Sequence, residues 1–216
     1  MRFDAPSDVE TIHALDREWL WPVADKKCRK VIFDYVVDLQ EVIKRCRGRR
    51  TAVQAGGNMG VWPWILADEF EQVYTFEPDL RCYELLRRNL EGCSNIKHQH
   101  AALMDIICYV KIANDKPNNL GAQYVVPHHT GVPAITIDSL RLESCDLLYL
   151  DIEGAELPAL LGAENTLDKF HPVVVVEDKG LSSRFGVDMG DAEKWLQKFG
   201  YRVVDRPHRD VVLVCE

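Results

Sequence analysis

The 216-residue chain lacks any apolar run near the roughly 20 residues that cross a bilayer. Its opening stretch MRFDAPSDVE also lacks the apolar segment of a signal peptide, so a membrane role is not expected and a cytoplasmic location is. Its seven cysteines are odd in number and form no CxxC pairs, which speaks for reduced thiols against a disulfide framework or zinc cluster. Positive charge is in short supply: 26 Lys and Arg face 34 Asp and Glu, a net charge of -8. That balance opposes broad docking on nucleic acid or anionic lipid. No NPPY-like element for a flipped base is present either. A small polar substrate fits the charge balance better. Repeats, low-complexity segments and linkers are absent as well, and the length suits one well-buried core.

What is present falls into two parts. In residues 1–48, Ser7 or Asp8 is placed to cap a helix running to about Trp21, where Pro22 interrupts. Val31, Tyr35, Leu39, Val42 and Cys46 then recur with helical period until Gly48. This part is expected to be a helical extension serving as a lid or a homodimer contact. The basic run from Lys44 to Arg50 reads as a solvated helix end. From residue 49 onward, short apolar runs (TAVQA, VYTFE, DLLYLDI, PVVVVED) alternate with helical patterns, which predicts right-handed crossovers and a mainly parallel sheet. LLYL and VVVV lack polar alternation, as strands buried on both faces do. Residues 106–137 read as an insert of two or three further strands, and YRVVD with DVVLVCE as an antiparallel hairpin at the sheet edge.

Open parallel sheets bind ligands at the carboxyl ends of their strands, and VQAGGNMG, residues 53–60, follows the first strand of this alternation. Counted from Gly56, the dinucleotide fingerprint GxGxxG fails at Asn58 and Val61, which disfavours a nicotinamide-dependent oxidoreductase. The pattern that fits is GxNxG, with Gly56, Asn58 and Gly60. Glu77 ends the next strand, where a carboxylate with two acceptor oxygens can take both hydroxyls of a ribose. Asp79 can cap the helix beyond it.

VQAGGNMGVWPW, FEPDLRCYELLRRNL, NIKHQHAALMD, DLLYLDIEGAELPALLGAE and PVVVVE resemble, in order and spacing, the FkbM family of S-adenosylmethionine-dependent methyltransferases. The resemblance covers about residues 50–180, and its most specific part is the pairing of FEPD with LDIEGAE. It implies the Rossmann-like, seven-stranded class I methyltransferase fold, S-adenosylmethionine as cofactor, and O-methylation of hydroxyls on a small-molecule or glycan acceptor, including sugars and polyketide-type products. Carried across by position, Gly56, Asn58 and Gly60 would contact the methionine part of the cofactor and Glu77 its ribose. Ala102, with Ala101 and Leu103, would meet the adenine edge, where many class I enzymes have an acid; Asp105 or a backbone carbonyl would substitute. Gln54 stands where many relatives have aspartate near the amino-acid end, and an amide lacks that charge. Asn119 and Gly121 echo an Asn–Gly element of the family's insert, which makes Asn119 a substrate-binding candidate.

In LLYLDIEGAE, Asp151, Glu153 and Glu156 crowd one rim of the crevice. Methyl transfer to a hydroxyl needs alignment, desolvation and removal of a proton, and a carboxylate can take that proton. Asp151 is the first choice for this role and also borders the cofactor, with Glu153 and Glu177 behind it. A divalent cation such as Mg2+ held by Asp151 and Glu153 is the alternative, since hard cations favour carboxylates. Glu156 reads as a helix-start residue. His128, beside His129 in the insert, is a second substrate-side candidate because histidine titrates near neutral pH. Trp62 adjoins the glycine turn. A non-catalytic cofactor-binding or scaffolding module is the competing reading, prompted by Gln54 and the missing adenine acid.

Overall fold

The computed structural model describes residues 8–116 and 119–215. The expected first helix is instead a hairpin of β1 (Val9–Ala14) and β2 (Arg17–Pro22). Ser7, one expected cap, lies outside the described residues. Ala14 pairs with Arg17, leaving Leu15 and Asp16 as a two-residue loop with φ of 53° and 58°. Two positive φ values in succession are the signature of the type I′ turn, whose twist matches the flanking strands. Trp19 and Trp21 then point to one face and are fully buried, so period 2 prevails over the apparent helical pattern. Trp19 meets the Trp64 ring edge-on at 5.6 Å and lies under the Arg17 guanidinium. The second expected helix is present in two pieces, α1 (Lys27–Asp34) and α2 (Val36–Arg45), which meet at Tyr35.

The remaining elements follow the predicted alternation: β3 (Thr51–Ala55), α3 (Val61–Glu69), β4 (Gln72–Phe76), α4 (Leu80–Asn89) and β5 (Ile96–Gln99). The insert contains β6 (Ala102–Leu103), β7 (Cys108–Asn114), β8 (Gln123–His128) and β9 (Val132–Ile135), a small separate sheet ordered β6-β9-β7-β8. Next come β10 (Leu147–Leu150), α5 (Glu156–Leu161), α6 (Glu164–Phe170), β11 (Val173–Glu177), α7 (Asp191–Gln197), β12 (Tyr201–Asp205) and β13 (Asp210–Cys215).

Seven strands form the main sheet in the order β12-β13-β11-β10-β3-β4-β5, all parallel except β13, which runs antiparallel to both neighbours. This is the Rossmann-like class I methyltransferase arrangement with its antiparallel terminal hairpin. Alternate residues of each strand feed two cores. Ala52, Val73, Leu147 and Val175 pack under α2, α3 and α4, while Val53, Phe76, Leu148 and Val174 pack under α5, α6 and α7. Each fully buried Val or Leu contributes about 1.5–3 kcal/mol, so double-sided burial makes these central strands the rigid platform. The chain runs outward from β3 to β5 and returns to β10 on the other side of β3, so its direction reverses between β3 and β10. Asn89 fixes the hairpin to this platform: its amide pairs with both backbone groups of Leu20 and donates to the Met59 carbonyl at 2.8 Å. Among the described residues, no helix is long and apolar enough to cross a membrane.

Candidate active site at the strand ends

At that reversal lies a cavity of about 550 Å³, within the size range of sites for cofactors and small ligands. One half is made by the glycine turn after β3. Gly56 and Gly57 both donate to the Phe76 carbonyl, at 3.1 and 2.9 Å, folding the turn onto the end of β4. Gly56 has φ of +83°, and a Cβ there would lie 2.0 Å from the Asp151 carbonyl oxygen. Only glycine allows this turn to pass so close to the end of β10. Asn58 caps its own turn by accepting from Met59 N–H. Gly60, with φ of +90°, begins α3 and faces Leu86 and Leu90, so it is not among the residues lining the cavity.

Glu77 follows β4 and is buried, with each carboxylate oxygen accepting one backbone N–H at 2.8 Å, from Asn58 and from Asp79. Burial pushes its pKa up to about 8, although the two N–H bonds pull the other way. Each oxygen retains acceptor capacity towards the cavity. Asp79 caps α4 through Cys82 N–H, as expected, and its second oxygen accepts from Gln123 of the insert. Ala101, Ala102 and Leu103 line the adjoining wall.

Gln54 also borders the cavity, yet its polar atoms are committed elsewhere. Its Nε2 donates to the carbonyls of Ala55 and Gly56, and its Oε1 accepts from Thr75 Oγ1 at 2.6 Å. Gln54 is thus a brace between β3, β4 and the turn while it borders the cavity. An aspartate there would have nothing to donate to the two carbonyls.

The other half of the cavity is acidic. Asp151 follows β10, Glu177 ends β11 and Asp210 begins β13, directly opposite Glu177 in the ladder. Asp151 is open to the cavity while protein surrounds it. Burial, then Glu177 and Asp210, raise its pKa well above the usual carboxylate range. Asp210 accepts the Tyr149 hydroxyl and is pushed by burial to about 6. The Lys179 ammonium sits 2.7 Å from Glu153 and 2.5 Å from Glu177. Burial lowers the Lys179 pKa, but Glu177, Asp151 and Glu153 outweigh it and the net shift is upward. Burial raises the Glu153 carboxyl in spite of its lysine partner. Oxygens of Asp151, Glu153 and Glu177 lie within 4.8 Å of one another, a spacing that suits a cation. Lys179 already places one positive charge between Glu153 and Glu177. Glu156 turns back to accept from Ile152 and Gly154 N–H, so it holds the DIEGAE turn, and burial lifts its pKa to about 7.

The roof is assembled from distant segments. α1 spans the cavity; at one end a Cβ on Gly121 would press Cys28 Sγ at 2.7 Å, and at the other Tyr35 stacks on His208 with ring centroids 4.0 Å apart. Asn119 lines the roof, its Oδ1 buried without a hydrogen-bond partner. His128 does not: it is exposed on β8, hydrogen-bonded to Thr130, away from the cavity. Trp62 lines the wall against Tyr149. Sequence reasoning missed Tyr149, Asp210 and the α1 lining. The register of β11 against β13 was the missing signal for Asp210.

The Methyltransferase FkbM domain matches residues 54–203, more than half of the chain and further toward the C-terminus than the motifs alone suggested. Among solved structures, methyltransferase FkbM from Methylobacillus flagellatus KT is similar at 14% identity and a TM-score of 0.50, covering 85% of this chain and 59% of its own. Trm5b from Pyrococcus abyssi is similar at 11% identity and a TM-score of 0.50, covering 95% of this chain and 54% of its own. This chain thus spans under two thirds of either structure, and at such identities the likeness concerns the fold. No curated protein sequence matches the chain. The domain match, together with the seven-stranded order and the cavity at the β3–β10 reversal, places the chain in the FkbM family of S-adenosylmethionine-dependent methyltransferases.

Proposed function

We propose that the chain catalyses transfer of a methyl group from S-adenosylmethionine to a hydroxyl of a small molecule or glycan, with Asp151 as the proton acceptor. The observation that carries this reading is the placement of Asp151. It lies one strand from the glycine turn, touches that turn through its backbone, opens to the cavity and has its proton affinity raised by burial, Glu177 and Asp210. The residues fit the donor. The Gly56 turn leaves no room for a side chain, Glu77 has spare acceptor capacity for ribose hydroxyls, and Ala101 to Leu103 offer an apolar wall for adenine. When bound, S-adenosylmethionine supplies an electrophilic methyl group.

Asp151 orients the acceptor hydroxyl and takes its proton as the oxygen attacks, a role that raised basicity favours. Glu153, Glu177 and Lys179 form a charge-compensated cluster that keeps the neighbouring carboxylates in place. Lys179 supplies the counter-charge that the alternative would ask of Mg2+, so this reading assigns no cation to Asp151 and Glu153. α1 over the cavity supports the lid role for residues 1–48 over the homodimer contact.

Titration with S-adenosylhomocysteine and with NADH, followed by transfer assays on hydroxylated acceptors, tests the reading. Glu77→Ala should weaken S-adenosylhomocysteine by about tenfold or more, equivalent to about 1.4 kcal/mol. Asp151→Asn should bind it as the parent does while transfer falls by about 10²–10⁴. Preferential NADH binding, or full activity in Asp151→Asn, would remove the assignment; binding without turnover on any acceptor would favour the scaffolding module.

A further inference from the structure

The two sides of the cavity carry opposite charge. The strand ends and the turns after them supply Glu77, Asp79, Asp151, Glu153, Glu177 and Asp210 with Lys179 among them, whereas the roof supplies Lys26 just before α1, Lys27 and Lys30 on α1, and Arg209 from the β12–β13 turn. Arg29, on the far side of α1, is paired with Glu10 at 2.9 Å. The three lysines and Arg209 are exposed at the cavity, and among the described residues their side chains have no carboxylate partner. The buried Asp25 carboxylate accepts from Cys28 N–H at 3.3 Å and meets the start of α1, so the positive field of the roof rests on the lysine and arginine side chains. In a chain with net charge -8, four such cations facing one cavity form a local reversal of sign. Lysine binds phosphate and carboxylate as a mobile point charge, and a cluster of cations on the roof attracts an anionic group to that side of the cavity.

We propose that the acceptor is an anion: a hydroxylated small molecule carrying a phosphate or carboxylate group, which Lys26, Lys27, Lys30 and Arg209 hold at the roof while its hydroxyl reaches Asp151. This rests on the methyltransferase reading of the same cavity and adds the substrate class. A cationic acceptor would instead be drawn to the strand-end acids and repelled by the roof, and a neutral sugar would use neither set of charges.

The test uses the full chain saturated with S-adenosylhomocysteine and titrated with glucose 6-phosphate, glucuronate and glucose. The two anions should bind at least about tenfold more tightly than glucose and weaken as ionic strength rises. Whichever anion binds more tightly tells phosphate from carboxylate. In the triple variant K26E/K27E/K30E, anion affinity should fall at least about tenfold with S-adenosylhomocysteine affinity within about twofold of the parent. Glucose binding as well as the anions, no anion binding at millimolar concentration, or unchanged anion affinity in the variant would overturn the proposal. So would a parallel loss of S-adenosylhomocysteine affinity in the variant, because the lysines would then serve the donor's carboxylate. If the parent fails to bind S-adenosylhomocysteine, the methyltransferase reading fails instead, and the same anion titration of the ligand-free chain still decides the roof's role.

Discussion

The strand-end platform and the roof above it are built on different principles. On the platform, Gln54, Glu77 and Glu156 each have hydrogen bonds to backbone of an adjoining turn or strand, and Gly56 packs against the backbone of the neighbouring strand. The roof joins α1, the insert and the β12–β13 turn chiefly through side chains, such as Tyr35 on His208 and Cys28 at Gly121. A group held by backbone ladders keeps its position to a fraction of an ångström, whereas side-chain contacts between exposed segments open locally at lower cost. Under the proposed function, chemistry falls to the platform and acceptor choice to the roof.

Substitutions can break this contrast, and the largest effect is expected on the platform. Gly56→Val places a side chain where a Cβ already lies 2.0 Å from the Asp151 carbonyl, so S-adenosylhomocysteine affinity should fall by about 100-fold or more. Near-parental affinity by calorimetry would show that the turn yields as readily as the roof. Gln54→Asp removes both donated bonds to the turn and should cost about 1–3 kcal/mol in urea unfolding. A stabilised variant would mean that Gln54 is no brace.

A third test uses pH. Glu77 has an ordinary pKa of 4.5 and one of about 8 when folded, so folding takes up a proton between these values. Its stabilising contribution is full below about 4.5 and is lost as pH rises through about 8. The ligand-free chain should therefore have a urea midpoint that declines across this window, with Glu156 adding to the slope near 7. Glu77→Gln should flatten the decline, and an identical slope in the variant would exonerate Glu77. The smallest effect belongs to the roof. Tyr35→Ala forfeits the stack on His208, about 0.5–1.5 kcal/mol, and should raise the acceptor KM while leaving S-adenosylhomocysteine affinity nearly untouched. Loss of donor affinity would tie the roof to the platform.

The same division marks what the sequence made legible. TAVQA, LLYL and VVVV could be read because strands buried on both faces must be apolar throughout, and the acids beyond VYTF and LLYL then had to lie at the crevice. Residues 9–22 misled because their turn uses Leu15, which carries no turn signal of the Asn–Gly kind, while Trp19 and Trp21 fit more than one period. Asn58 and Glu77 were recognised as cavity residues, but their bond to each other depends on the turn's path. The bracing bonds of Gln54 were not legible because its partner Thr75 lies on the adjacent strand, nor was the outward placement of His128, which only the register of β7 with β8 sets. Lys30 and Arg209 share a cavity only through tertiary packing, which no local pattern encodes.

Asn89 has a consequence for how this fold can be shortened. One amide at the end of α4 fastens the Leu20 backbone with one hand and the Met59 carbonyl with the other. Residues 8–22 are thus wired to the glycine turn, and a chain trimmed of this hairpin would lose both Leu20 bonds and keep only the bond to Met59. The hairpin is a splint for the glycine turn, and trimming it would slacken a contact on the side of that turn facing away from the cavity.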